Sequence, residues 1–317
     1  MNTIENLKKY DLHCHLDGSL SAVTIRKLAC ETGRDLPDDA ALSSLLQVQP
    51  DCRSLKEYLM KFDLPLSCLI TKENFRTAVR EVLHDASLEN VVYMEIRFAP
   101  LLSVHEQLSA REIIEGAIEG MEEGKAAYHV DCGLILCGMR HMAVEKNVEL
   151  VKTAREYMDA GVCAVDLAGD ETSFPVTGQA KMFETAQRLG IPFTIHAGEC
   201  GSAKSIRDAL ELGASRIGHG IAAGKDKELR EYCAGKRICF EMCPTSNLQT
   251  HAVESMEEYP FLSFLEAGIP VTVNTDNRTV SNTTITKELK LLEKYYKLTY
   301  SDMEQLMKHA EEAAFRK

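Results

Sequence analysis

Residues 192–219 read Pro192-Phe-Thr-Ile-His196-Ala-Gly-Glu199-Cys-Gly-Ser-Ala-Lys-Ser-Ile-Arg-Asp-Ala-Leu-Glu-Leu-Gly213-Ala-Ser-Arg216-Ile-Gly-His219. Pro192 to His196 is a short apolar run of strand type that ends on a histidine. Ser202 to Leu212 is helical, Gly213 stops it, and Arg216 to His219 is a second short strand with a histidine at its end. Strand, helix, strand is the building unit of a parallel sheet.

The same alternation extends in both directions. Upstream, Gly178 to Leu189 is helical and follows the strand Val162 to Leu167, which runs on into Ala168-Gly-Asp170. Before it come a helix from Val144 to Ala160 stopped by Gly161, and a strand from Val130 to Cys137. A helix from Ser109 to Glu123, with Gly124 near its end, follows the strand Val91 to Phe98. Downstream lie a helix from Asp226 to Cys233 and a strand from Ile238 to Cys243. A helix from Phe261 to Ala267, ended by Gly268, then leads to the strand Pro270 to Asn274. Helices fill the remainder.

The first strand stands apart and carries Asp11-Leu-His-Cys-His-Leu-Asp-Gly18. Roughly seventy mostly helical residues separate it from the second, far more than one crossover needs, so part of that insertion covers something. It includes Ser21 to Glu31 before Gly33, and a helix capped by Thr71. Leu55, Tyr58, Leu59 and Phe62 recur at i, i+3, i+4 and i+7, a stripe that suits core packing or a cover. Eight mainly apolar strands separated by helices predict the α/β class and a closed (β/α)8 TIM barrel. It has a helical insertion after strand 1 and extra C-terminal helices. No linker or low-complexity tract divides it, so residues 1–317 read as a single domain.

Composition narrows the function. The chain has 317 residues, 45% hydrophobic and 26% charged, with a net charge of −12. That acidity argues against a nucleic-acid partner. No stretch approaches the length of a membrane span, and the start has no apolar run of signal-peptide type. The 11 cysteines are scattered, with no Cys-x-x-Cys pair, as suits buried thiols in a reducing cytoplasm. Oligomeric state is not legible.

The chemistry collects at strand ends. His13 and His15 alternate along a strand and share one face. Alone, such a pair is a weak signal that two solvated histidines explain better. His196 at the fifth strand and Asp276 after the eighth change that, because strand eight closes against strand one and strand five lies across the mouth. Three imidazoles and a carboxylate there suit zinc, with a position left for water. Glu199, three residues after His196, is placed to be a general acid, or else a carboxylate at a helix N-terminus. His219, between Gly218 and Gly220, is placed beside the metal or is simply a turn histidine.

At these residues the chain resembles the adenosine deaminase family of metal-dependent barrel hydrolases, over essentially its whole length. The matching motifs are His13-Cys-His-Leu-Asp-Gly18, Asp166-Leu-Ala-Gly169, Ile195-His-Ala-Gly-Glu199, Arg216-Ile-Gly-His-Gly220, Cys243-Pro-Thr-Ser-Asn247 and Asn274-Thr-Asp276. The resemblance implies that His13, His15, His196 and Asp276 bind zinc, with His15 also beside the substrate. It implies that Glu199 donates a proton to purine N1 and that His219 assists the water attacking C6. It further implies that Asp17 holds the ribose 5′-hydroxyl and Gly169 meets purine N3. Leu55, Tyr58 and Phe62 look like the family's apolar lid. Related barrels with two metals carry a modified lysine on strand four, but Ala164 to Gly169 has none, so one Zn2+ per chain is expected.

The expected reaction is hydrolytic deamination of adenosine, and of 2′-deoxyadenosine, to inosine and ammonia, the activity numbered EC 3.5.4.4. Deamination of adenine or of an N6-substituted adenine nucleotide is the nearest rival, and a non-catalytic nucleoside-binding protein a more distant one. The sequence departs from the family in one notable place. Many members have a second Asp near purine N7, where this chain has Asn277. An amide still donates to a ring nitrogen. The C-terminus also looks short for the family.

Overall fold

A computed structural model of the chain describes residues 3–49, 52, 55–200 and 202–316, with 55 and 56 described by backbone alone. Eight strands are present among them: β1 Lys9–His15, β2 Val91–Phe98, β3 Asp131–Met139, β4 Val162–Ala168, β5 Thr194–Ala197, β6 Arg216–His219, β7 Cys239–Met242 and β8 Val271–Val273. They form two parallel four-stranded ladders, β1 to β4 and β5 to β8, each in sequence order.

Two narrow seams close these ladders into a barrel. Val165 pairs with Phe193, and Val165 N donates to Pro192 O at 3.1 Å. Cys14 pairs with Asp276, where His15 N donates to Asp276 O and Asp276 N to His13 O, both at 2.7 Å. The expected (β/α)8 architecture is present. The second seam sets the histidines of β1 beside the carboxylate that follows β8.

The barrel interior is not a purely aliphatic stack. Arg97 on β2 donates to Asp166 on β4 at 2.9 Å and to Glu241 on β7 at 2.8 Å. Arg216 on β6 donates to Glu241 at 2.7 Å and to Glu95 on β2 at 2.6 Å. All five side chains are buried. Breaking such a network by removing one partner leaves an uncompensated charge, at a cost of about 3–5 kcal/mol.

The insertion after β1 comprises helices at Ala22–Glu31, Asp39–Leu46, Leu55–Leu59, Asp63–Cys68 and Lys72–Ser87. Thr71 caps the last of these, its side chain accepting from Asn74 N at 3.1 Å. The C-terminal helices are Ile285–Tyr296 and Tyr300–Ala313. The second lies against the N-terminal end of the barrel, with Ala310 packed on Leu12 and Tyr93.

Two local expectations need correction, and one helix was not expected. The helix expected to end near Gly124 runs from Ala110 to Tyr128 and is terminated by left-handed His129. Gly124 is instead a point of close approach: a Cβ there would come within 2.5 Å of Leu83 Cδ1, on the neighbouring helix. The helix expected from Val144 to Ala160 ends at Glu156. A short helix at Pro244–Gln249, after β7, had no counterpart in the sequence reading.

Candidate active site

The C-terminal rim of the barrel surrounds a cavity of about 380 Å3, lined by residues from every expected group. That size is ordinary for a small-molecule site. His15, Asp17, Gly169, His196, Glu199, His219, Asp276 and Asn277 all line it.

His13 and His15 point to one side of β1, with ring centroids 5.3 Å apart. His13 is wholly buried. Its Nδ1 is 2.7 Å from Glu241 Oε2, and its Nε2 is 3.3 Å from Asp276 Oδ1 without a hydrogen-bond partner. His15 Nε2 is 3.2 Å from His196 Nε2 and 3.5 Å from Asp276 Oδ1. His196 Nδ1 is 2.9 Å from Asp166 Oδ2. Asp276 is held at φ 58, a left-handed conformation that costs energy for a non-glycine residue. The two backbone bonds of the β1–β8 seam hold it there.

Ligand atoms of His13, His196, His219 and Asp276 all lie within 4.8 Å of one another. The tight group thus includes His219, while His15 reaches it through His196 and Asp276. The backing of each ring separates these histidines. His13 and His196 turn Nδ1 to a carboxylate, the arrangement that leaves Nε2 free for a metal. His219 Nδ1 instead lies 3.0 Å from Asn247 Nδ2. Asn247 Oδ1 is occupied by the Tyr259 hydroxyl at 3.2 Å, so the amide N–H faces the ring and the His219 proton belongs on Nε2. That nitrogen is 3.7 Å from Glu199 Oε2.

The electrostatics are uneven. Burial pushes His13 and His15 below the usual histidine range, towards the neutral form that binds metals. At His196 burial acts in the same direction, but the Asp166 carboxylate more than offsets it. Burial alone would raise Asp276, yet His13 beside it and the other surrounding imidazoles hold it well below the carboxylate range. Burial raises Glu199, helped by the charges of Asp276 and Glu171 and opposed by His219 and His196. Asp17 is pushed up to about 6, chiefly by burial.

The lid stripe is not one continuous helix. Leu55–Leu59 is helical, Met60–Phe62 is a 3-10 turn, and Asp63–Cys68 is helical again. Tyr58, Leu59 and Phe62 line the cavity. The side chain of Leu55 lies outside the described residues. Tyr58 is buried and its hydroxyl is 2.7 Å from Ser281 Oγ, so this wall is not wholly apolar. Asn277 is buried against Gly18, where even a methyl group would collide with its side chain.

A family model described as adenosine deaminase matches residues 8–317. The chain belongs to the adenosine deaminase family. An adenosine deaminase of Enterococcus faecalis is 42% identical over 313 residues, 98% of this chain and 93% of that one. The crystal structure of an Arabidopsis N6-mAMP deaminase superposes with a TM-score of 0.89 at 29% identity, covering 100% and 96%. A Burkholderia ambifaria amidohydrolase with bound Zn gives a TM-score of 0.89 at 21% identity, covering 99% and 87%, a likeness of fold.

Sequence reading gave no role to several residues that shape this family member's site. Glu241, Asp166, Asn247 and Tyr259 back the histidines. Arg140 after β3 donates to the backbone of His196, and Glu171 grips the loop of Glu199. The available signal was charge within apolar strands. Glu95, Arg97, Asp166 and Glu241 interrupt such runs, and a buried charge requires a partner.

Proposed function

We propose that this chain hydrolyses adenosine and 2′-deoxyadenosine to their inosine products and ammonia, in cytoplasmic purine salvage, with one zinc ion per chain. The observation that carries this reading is the placement of Glu199 in the same cavity as the histidine–aspartate group, beside a fixed His219 N–H. The donors fit zinc. Ligand atoms of His13, His196 and Asp276 converge, and His15 Nε2 lies 3.2 Å from His196 Nε2 and 3.5 Å from Asp276 Oδ1. Buried His13 Nε2 has no other partner, while His13 and His196 stand beside carboxylates.

His13, His15, His196 and Asp276 would hold the metal, with His219 left beside it by its different backing. A zinc ion bound there supplies a Lewis acid that lowers the pKa of water to about 7. Glu199, favoured in its protonated form by burial, delivers its proton to N1, which makes C6 electrophilic. His219 steadies the attacking water through Nε2 as C6 becomes tetrahedral, and both protons of that water pass by way of the Glu199 carboxylate. One replaces the proton given to N1, and the other reaches the amino group, which departs as ammonia. Asp17 accepts the ribose hydroxyl, Gly169 approaches N3, Asn277 faces N7, and Tyr58 and Phe62 cover the nucleoside.

A nucleotide substrate fits less well. Among the described residues lining the cavity there is no Lys or Arg, while Asp17, Asp63 and Asp170 place carboxylates there. Turnover of adenosine, adenine and N6-methyl-AMP by the purified protein, followed by ultraviolet absorbance, tests the choice. Adenosine should have the highest kcat/KM, and Glu199→Gln should lower its kcat by about 10²- to 10⁴-fold with zinc retained. Higher kcat/KM on either rival substrate, or a near-normal kcat in Glu199→Gln, overturns the reading.

A further inference from the structure

Glu171 lies two residues after Gly169 in the loop that follows β4, and it does not line the substrate cavity. Its carboxylate reaches the loop that follows β5. Oε2 accepts from Gly198 N and from Ser205 Oγ, each at 2.8 Å, and Oε1 accepts from Cys200 N at 2.5 Å. The two amides flank Glu199. Arg140, itself buried, donates to His196 O at 2.6 Å and to Phe174 O at 2.9 Å. Residues 196–200 are therefore gripped by a cation from the β3 loop and an anion from the β4 loop.

This segment needs such a grip. Gly198 lies close against Ile206 and its carbonyl accepts from Ala222 N at 2.9 Å. But the chain turns there at φ 71, β5 has ended at Ala197 and Cys200 is exposed, so no ladder pairing continues past Gly198 to hold the chain at Glu199. Charge-assisted bonds to backbone N–H groups are roughly twice as strong as neutral ones. A carboxylate that takes residues i−1 and i+1 together fixes the direction in which the intervening side chain leaves the backbone. We propose that Glu171 is a positioning residue that sets the Glu199 carboxyl at the purine N1. The same loop presents Gly169, so a base seated on Gly169 is registered to its proton donor through one carboxylate.

The inference rests on Glu199 being the proton donor, and the test separates the two. Glu171→Ala, Glu171→Gln, Ser205→Ala, Glu199→Gln and the double variant Glu171→Ala/Glu199→Gln are assayed as zinc-loaded enzyme with adenosine. Displacing a catalytic group by about 1 Å costs on the order of 10²-fold. Glu171→Ala should accordingly lose about 10- to 100-fold in kcat, with KM for adenosine within about 3-fold and zinc content unchanged. Glu171→Gln should recover part of that loss, because its one carbonyl oxygen still accepts from an amide. Ser205→Ala, which leaves both amide bonds in place, should lose less than about 5-fold.

In the Glu199→Gln background the Ala change should cost almost nothing more, since both act through one proton transfer. Additive losses in the double variant, loss of zinc, or a kcat for Glu171→Ala within about 3-fold of the parent would overturn the proposal. Should Glu171→Ala not fold, the kcat-against-KM split in Glu171→Gln decides by the same criterion. A Glu199→Gln protein with normal kcat would instead defeat the assignment of the proton donor.

Discussion

The two halves of the barrel deliver their reactive groups differently. Strands β1 to β4 are 7, 8, 9 and 7 residues long, whereas β5 to β8 have 4, 4, 4 and 3. In the first half His13 and His15 lie within the strand: His15 pairs with Arg97, and His13 sits in the irregularity between Asp11 and Cys14, where β1 spends one residue more than β2. In the second half Glu199 and Asp276 lie beyond their strands, and His219 ends β6 at φ 65. A short strand leaves room for loops to turn over the cavity, but beyond it the ladder no longer fixes them, apart from Asp276, which the β1–β8 seam holds. Side chains take over. Glu171 holds the β5 loop, Asn247 holds His219, and Asp11 holds Thr275 through bonds of 3.2 and 2.6 Å. Glu288 holds the start of the β7 helix at Thr245 N, 3.1 Å away.

The largest effect should be the same in both halves. His13→Ala removes a ligand from the irregular part of the long strand β1, and His196→Ala one that pairs with Gly218 in the short ladder of β5 and β6. Each should lose bound zinc and at least several kcal/mol of transition-state stabilisation, because metal affinity depends on the whole donor set. Elemental analysis and turnover measure both. Full zinc content with full activity in His13→Ala would remove that residue from the coordination shell.

Asp166→Asn strikes the joint between the halves. The carboxylate backs His196 of the second half and pairs with Arg97 of the first. Its loss should destabilise the fold by about 3–5 kcal/mol and weaken zinc by about 10- to 100-fold. Thermal unfolding and chelator competition read these separately. Unchanged melting with weakened zinc would mean that Arg97 is satisfied without Asp166.

How far the site was legible in the sequence depends on the range of the interaction. Strand ends could be read because an apolar run breaks off at each, and barrel topology then gathers His13, His15, His196, Glu199, His219 and Asp276 at one rim. The partners behind them could not be read. Glu241 lies 228 residues from His13, and nothing near either residue specifies the other. The straps of the second half sit in irregular loops, where neither helical nor strand periodicity operates. Gly124 misled for a related reason: close packing of two helices places glycine where a stop signal would also place it.

Glu288 sharpens the comparison through pH. It is buried, accepts from Thr245 N and from Thr283 Oγ1, and burial raises it to about 7. The folded state thus holds its proton more tightly than the unfolded chain, where the reference value is 4.5. Its stabilisation is complete below that lower value and is lost as pH rises through about 7. The span corresponds to about 3 kcal/mol. Glu288→Gln cannot titrate, so parent and variant should diverge in stability across this window, the parent losing ground as pH rises. Parallel denaturation curves from pH 5 to about 8 would show that Glu288 titrates alike in both states.

The smallest expected effect tests the finest strap. Tyr259 lies outside the cavity, and its hydroxyl donates to Asn247 Oδ1 at 3.2 Å. That bond turns the amide so that its N–H meets His219 Nδ1, which keeps the imidazole proton on Nε2. Tyr259→Phe removes one buried hydrogen bond while preserving the ring, worth about 1 kcal/mol. Without it Asn247 can rotate and offer Oδ1 to the ring, and the competing tautomer then turns a lone pair towards Glu199. The fraction of correctly poised His219 falls while zinc, Glu199 and the ribose contacts stay in place. We expect kcat to drop about 5-fold with KM unchanged. A larger fall in melting temperature than in kcat would mean that Tyr259 serves packing alone. An unchanged kcat would mean that the His219 tautomer is set by the cavity and not from behind.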